Sequence, residues 1–293
     1  MNAAHRWLHE PGHELSLDRG GALLCRHHFA TDHRKPFLHP VHTASGIPLT
    51  CFEPWDHVWH RGLWFSWKFL NGVNYWEETE DGKQDGQTEL VGPETVNRQP
   101  DRATIAIRLQ YRPPTGEIVL EETREITIQV PRADGTYAMD WRLTFTATRE
   151  DVTLDRTPIT PQTPWGGYGG LSWRAARSLG NFRLLDSEGR RDKDVQHQRA
   201  RWLDLSGQAD GGRNLAAGIA MIDHPSNPRH PSAWKTFADP GFGYINPAFL
   251  LNEPFPLRTR QALTLRYRVL IHDGWPDDDA IEKAYDAFAR EQR

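Results

Sequence analysis

A chain of 293 residues with 38% hydrophobic and 25% charged residues can bury a substantial core, which excludes a disordered protein. Its 35 Lys and Arg against 39 Asp and Glu give a net charge of −4, so the basic footprint that would neutralise nucleic-acid phosphates or an anionic membrane is missing. No run approaches the ~18 consecutive apolar residues of a membrane span, and the opening MNAAHRWLHEPGHEL has charges and a Pro-Gly pair where a signal peptide has its apolar stretch. The sequence therefore reads as a cytoplasmic protein with no nucleic-acid or membrane partner.

Ten of the 14 histidines fall in the first 60 residues, and five of the 12 tryptophans (positions 55, 59, 64, 67 and 76) lie within 22 positions. Imidazoles serve as acids, bases and ligands near neutral pH, and indoles offer flat platforms, so the first third of the chain is the expected seat of chemistry. Cys25 and Cys51 lack the spacing of a zinc site or a disulfide framework and are read as reduced and buried.

In chain order, the first candidate segment is His39-Pro-Val-His42, held extended by Pro40; one of its histidines is expected to face a pocket. Next comes Pro54 to Trp67, where Asp56, His57, His60 and Arg61 precede the alternating Leu63, Phe65, Trp67 and Phe69 of a strand. Polar groups at a strand rim are expensive to bury without partners, so this segment is read as a site. His57 or His60 would exchange protons there and Arg61 would grip oxygens with its planar fork.

Period-two alternation then dominates. Ile105, Ile107, Leu109 and Tyr111 share one face, as do Ile126, Ile128 and Val130, then Met139, Trp141, Leu143 and Phe145, and finally Leu263 to Ile271. Turn signals at Pro113 to Gly116 and Ala133 to Gly135 join antiparallel hairpins, and the uniformly apolar Leu215 to Ile222 suits a central strand. The Gly-rich Trp165 to Arg174 segment is no dinucleotide fingerprint, and Tyr168 and Trp173 are expected to line a pocket. After Asp223, prolines at 225, 228 and 231 stiffen a loop that would fix His224 and Asn227, with Trp234 beyond. One helix, at about 277–291, is marked by carboxylates after Pro276 and by Ile281, Ala284, Tyr285 and Phe288 at helical spacing. With no repeat and no linker, the expectation is one all-β domain over residues 1–293, a large antiparallel two-sheet sandwich with a C-terminal helix.

The blocks HPVHTASGIPLT, WDHVWHRGLWFSWKFLNGVNYWEE, GYGGLSWRA and IDHPSNPRHPSAW together resemble the bacterial family labelled "methane oxygenase PmoA", a family of unknown function. Val58 and Trp59 depart from its usual D-H-P-H-H-R-G. Methane oxidation is set aside, because that enzyme's subunit is a membrane protein. What the resemblance implies is a galactose-mutarotase-like supersandwich and a small-molecule carbohydrate ligand.

The leading functional expectation is an enzyme that moves a proton on a sugar or oxidised sugar, by epimerisation or β-elimination. His57, His60, Arg61 and His224 would be catalytic, and His39, Trp64, Tyr168, Trp173, Asn227 and Trp234 would bind substrate, with Glu121 or Glu122 as a further carboxylate. One alternative is a metal enzyme in which His39, His57 or His60, and His224 converge on a divalent ion; otherwise no cofactor is expected. The other is a non-catalytic sugar-binding or regulatory protein. The oligomeric state is not legible.

Overall fold

The computed structural model describes residues 4–78, 85–211 and 215–291. Among these, the alternating segments pair into a sheet of eight strands, a sheet of nine and a small sheet of four. The eight-stranded sheet runs His5–Glu10, Glu14–Arg19, Ala22–His28, Phe37–Val41, Leu63–Ser66, Gly170–Arg174, Phe242–Pro247 and Trp234–Asp239 in spatial order. The nine-stranded sheet has Ala262–Asp273 at its centre, between Ala216–Asp223 and Tyr137–Ala147. The strand pairings between named strands are antiparallel, and both expected hairpins are present: Arg102–Arg112 pairs with Leu120–Gln129, which pairs with Tyr137–Ala147. The architecture is thus the two-sheet sandwich that the alternation predicts. No helix among the described residues is long and apolar enough to cross a membrane.

Side-chain parity decides what each face does. In strand Leu63–Ser66, Leu63 and Phe65 point between the sheets, where Phe65 stacks on Phe145 of the opposite sheet at 5.3 Å. Trp64 points the other way and joins Phe37, Trp76 and Tyr244 in a separate aromatic cluster on the outer face. Ile245 and Tyr244 split in the same manner. Opposite, the outer face of the nine-stranded sheet offers Ala138, Trp202, Ala220, Ile222 and Leu270, and these are covered by Ile281 and Phe288 of the helix Asp278–Ala289. That helix starts where the sequence placed it, with the Asp277 carboxylate accepting from the backbone N–H groups of Asp279 and Ala280.

Several expected site residues prove to be scaffold. Trp173 and Trp234 are fully buried, and their indole N–H groups donate to the carbonyls of Leu49 and Ala200. Asn227 is buried too: its amide donates to Asp223 and to the Arg266 carbonyl, and its oxygen accepts from the Arg266 N–H, so it braces the proline loop. Glu122 lies inside the sandwich, paired bidentately with the buried Arg124 and accepting from Tyr111, whereas Glu121 is exposed. Both cysteines are free thiols, but Cys51 is only half-buried.

The eight-stranded sheet turns into strand Leu63–Ser66 through Gly62, whose φ of +76° is one that L side chains rarely adopt and whose ideal Cβ would sit 2.7 Å from the Leu38 carbonyl oxygen. Gly62→Ala should therefore cost about 2 kcal/mol or more, lowering Tm by roughly 4 °C or more. A calorimetric Tm within about 1 °C of the parent would show that this close approach is not required.

Candidate active site

The segment between Phe52 and Arg61 is a closed loop. Phe52 and Arg61 form a bridge, the Glu53 N–H donates to the His60 carbonyl, and two turns are closed by His57 N–H to Pro54 O and His60 N–H to His57 O. Arg61 clamps this loop from beneath: its guanidinium pairs with Glu53 and Glu78, each at 2.7 Å, and donates to the Val58 carbonyl. Arg61 is buried in that role and does not line the cavity, which corrects the expectation that it grips a ligand. Lys35, also buried, pairs with the same Glu78 and donates to the Trp76 carbonyl, fixing the next strip of chain. Burial lowers the Lys35 ammonium to about 8, against the pull of Glu78.

Above this foundation, on the outer face of the eight-stranded sheet, a cavity of about 600 Å³ opens. His57 and His60 project into it from the loop, Trp76 and Glu77 from the chain after the small sheet, and Trp165 and Tyr168 from the Gly-rich segment. The hairpin Trp234–Asp239 and Phe242–Pro247 closes it with Phe237, Asp239, Phe242 and Tyr244. Three rings stack in sequence: His57 on His60 at 4.7 Å and 24°, and His60 on Tyr244 at 5.7 Å and 21°. Trp64 lies behind His60 at 4.9 Å and supports the wall without lining it.

A single arginine organises the imidazoles. Arg174 ends strand Gly170–Arg174, is fully buried, and has the Phe242 ring 3.5 Å from its guanidinium carbon. It donates to Asp56 Oδ2 at 2.8 Å and to His60 Nδ1 at 3.4 Å. A guanidinium has no acceptor, so His60 Nδ1 accepts and the neutral ring carries its proton on Nε2. Burial, aided by His57 when that ring is protonated and by the charge of Arg174, holds the His60 pKa well below its ordinary value, so the ring is neutral at pH 7. Asp56, shared with Arg177 at 2.8 Å, lies 3.3 Å from His57 Nδ1, leaving Nε2 of His57 for a ligand. Burial would raise the Asp56 carboxyl, but hydrogen bonding and charge from Arg174 hold it well below the carboxylate range. His57 is lowered by burial, with Asp56 opposing, and it too is a neutral imidazole at pH 7.

The third polar group is Glu77. Burial alone would raise it, yet the paired Lys68 ammonium and a 2.6 Å bond from the Tyr168 hydroxyl hold it below its ordinary value, as an ionised carboxylate. The sequence reading missed Glu77 and Arg174; the signal that could have found the first was its place after the aromatic pair Tyr75-Trp76.

His39 and His224 are not on this cavity. His39 stacks on Phe52 at 5.3 Å with Nδ1 bonded to the Thr50 hydroxyl. His224 follows Ala216–Asp223 of the other sheet, lines a separate broad groove with Arg266, and is capped by Phe288. The expectation that it shares a pocket with His60 fails, because the two segments belong to different layers. The three-histidine metal centre therefore does not assemble, and among the described residues no group of three or more His, Cys, Asp or Glu side chains is placed to hold a metal ion.

A loop holding stacked neutral imidazoles over a buried arginine, set on the face of a large sandwich, characterises the chain. By sequence it belongs to a family of unknown function (DUF6807), matched over residues 14–286; the methane-oxygenase label that the motifs resemble is not supported. No curated protein matches it. Among solved structures it is similar to an alpha-galactosidase from Lactobacillus brevis, at 10% identity and a TM-score of 0.45, covering 99% of this chain and 43% of that one. It is also similar to the Slr1438 protein from Synechocystis, at 14% identity and a TM-score of 0.36 over 93% of this chain and 92% of that one. A third is a polysaccharide lyase, at 11% identity and a TM-score of 0.33, covering 96% of this chain and 34% of that one. The chain thus spans less than half the length of the galactosidase and of the lyase.

Two outcomes follow from the site electrostatics. Nitrogen-15 NMR should find His60 as the neutral Nε2–H tautomer and untitrated between about pH 5 and 8, while Arg174→Met, which removes the donor to Nδ1 but not the burial, should let the Nδ1–H tautomer appear; an imidazolium signal at pH 6 in the parent would contradict this. His27 is lowered to about 3 and His39 to about 4, both by burial, and His60 is lowered as well. The unfolded chain binds these protons below pH ~6.5 and the native state does not, so stability should fall as pH drops from about 6.5 towards 4. His272, raised by Asp204 against its burial, opposes them alone among these groups. A urea midpoint that stays constant over that range would sink the assignment.

Proposed function

We propose that the cavity is the site of a sugar-directed enzyme in which His57 transfers a proton. The observation that carries this reading is the convergence, in one aromatic-walled cavity, of two stacked neutral imidazoles and the ionised carboxylate of Glu77. Aromatic faces suit the C–H faces of a sugar ring, while a carboxylate and an imidazole N–H suit its hydroxyls. That the galactosidase and the lyase are named for carbohydrates agrees with the reading but does not carry it.

The roles divide by protonation. His57, neutral and with Nε2 free, takes a proton from the substrate; the imidazolium that results is stabilised by Asp56 beside Nδ1, and it gives the proton up to solvent as the substrate carbon is reprotonated from water. His60 donates from Nε2 to a substrate oxygen. Its tautomer makes it a donor, so the base role moves from His60 to its neighbour. Glu77, pinned by Lys68 and Tyr168, accepts from hydroxyls. Asp56 and Arg174 position both imidazoles without touching the substrate.

The test is a screen of sugars in D₂O, read by proton NMR for exchange at carbon and for new sugar signals. For the sugar that turns over, His57→Gln should lower the rate by ~10²–10⁴, and the parent rate should fall in acid with a midpoint below about 6.5, as His57 becomes charged. A parental rate in His57→Gln, with matched Tm, would remove His57 from the mechanism. Binding across the panel without exchange or product would replace the enzyme by a sugar-binding protein.

A further inference from the structure

We propose that the cavity takes neutral sugars and rejects those bearing a carboxylate; the inference rests on the reading of the cavity as a sugar site and names its substrate class. Among the described residues, the charged side chains that line the cavity are Glu77 and Asp239, both acidic. The neighbouring cations lie outside the lining: Lys235, buried behind the Phe237 ring, donates to the Pro164 carbonyl and to His197, and three others are held by carboxylates or by His60. Lys68 is buried and ion-paired with Glu77. Arg174 lies under the Phe242 ring with its hydrogens directed at Asp56 and His60. Arg61, which the sequence offered as the carboxylate fork, points away onto Glu53 and Glu78.

A sugar carboxylate entering here would lose its water and meet only neutral donors. Charge-assisted bonds from Arg or Lys are what ordinarily offset that loss, and an ionised Glu77 already occupies the wall. A neutral ring has no such handicap: its hydroxyls can donate to Glu77 and accept from His60 Nε2. The consequence reaches the chemistry. β-Elimination from an oxidised sugar draws a proton from the carbon beside the carboxylate and gathers negative charge on that group, which needs a cation or several charged donors at hand. Of the two proton transfers that fit the imidazoles, this lining favours the one on a neutral sugar: the C–H bond beside the carbonyl of the open-chain form breaks, its proton goes to His57 Nε2 and its electron pair to the carbonyl oxygen facing His60, and the carbon regains a proton from water on its opposite face as His57 releases its own to solvent, with no net redox change.

The test compares matched pairs at low ionic strength and pH 7.5, where screening is weakest. Methyl glycosides of glucose, galactose and mannose, each against its uronic acid, are titrated calorimetrically into the full chain. In any pair that binds, the neutral member should bind at least about tenfold tighter. Glu77→Gln removes the wall charge and leaves the Lys68 ammonium without its partner, so it should narrow the ratio several-fold; Asp239→Asn, at the exposed end of its strand, is the second variant should the first misfold. Uronates binding as tightly as their neutral partners would overturn the inference and leave the sugar site standing. No binding by any member of the panel would overturn the reading of the cavity itself.

Discussion

The site depends on one buried cation. A guanidinium with no exposure is costly unless its hydrogens are taken up, and Arg174 meets most of that demand by binding Asp56, His60 and the Gly241 carbonyl, with its Nε–H left unpartnered among the described residues. Its backbone does the same for the chain: the Arg174 N–H donates to Gly62 O and its carbonyl accepts from the Cys51 N–H, so both ends of the loop are tied to the strand that bears the side chain. Loop geometry, imidazole tautomer and carboxylate charge therefore share one cause. If Arg174 lost its charge, Asp56 would keep only Arg177, which is partly exposed, and His60 would lose the donor that fixes its proton on Nε2.

A second constraint is the parity of strand Leu63–Ser66. Because alternate residues leave opposite faces, one short segment closes the sandwich core with Leu63 and Phe65 and backs the cavity wall with Trp64, behind His60. The nine-stranded sheet uses its outer face differently, docking the helix there. The two layers thus carry separate outer surfaces, and a residue's sheet decides whether it can reach the imidazoles.

That rule also explains what was legible beforehand. Strand Arg102–Arg112 alternates along its length and Ala262–Asp273 through its first half, so their type and inward face follow from local pattern. The helix was legible from its cap and spacing, and the Pro54 to Trp67 segment from the cost of burying its polar groups. The tasks of the two arginines were hidden. Arg61 and Arg174 both adjoin aromatic strands, and only the positions of Glu53, Glu78 and Asp56 in space separate a loop clamp from a site organiser. His224 was misplaced for a related reason: its proline-rich surroundings look like a rim in isolation, but strand pairing puts it in the other layer. Glu77 carried too weak a local signal, since its meaning comes from Lys68 and Tyr168, which are 9 and 91 positions away.

The central claim is that the stacked imidazoles and Glu77 receive a sugar ring. A crystal of the protein soaked in a concentrated neutral monosaccharide that it binds tests this most directly. The account predicts ring density in the cavity, with an oxygen within about 3 Å of His60 Nε2 and a hydroxyl on Glu77. Density confined to the groove beside His224, with the cavity empty, would contradict it.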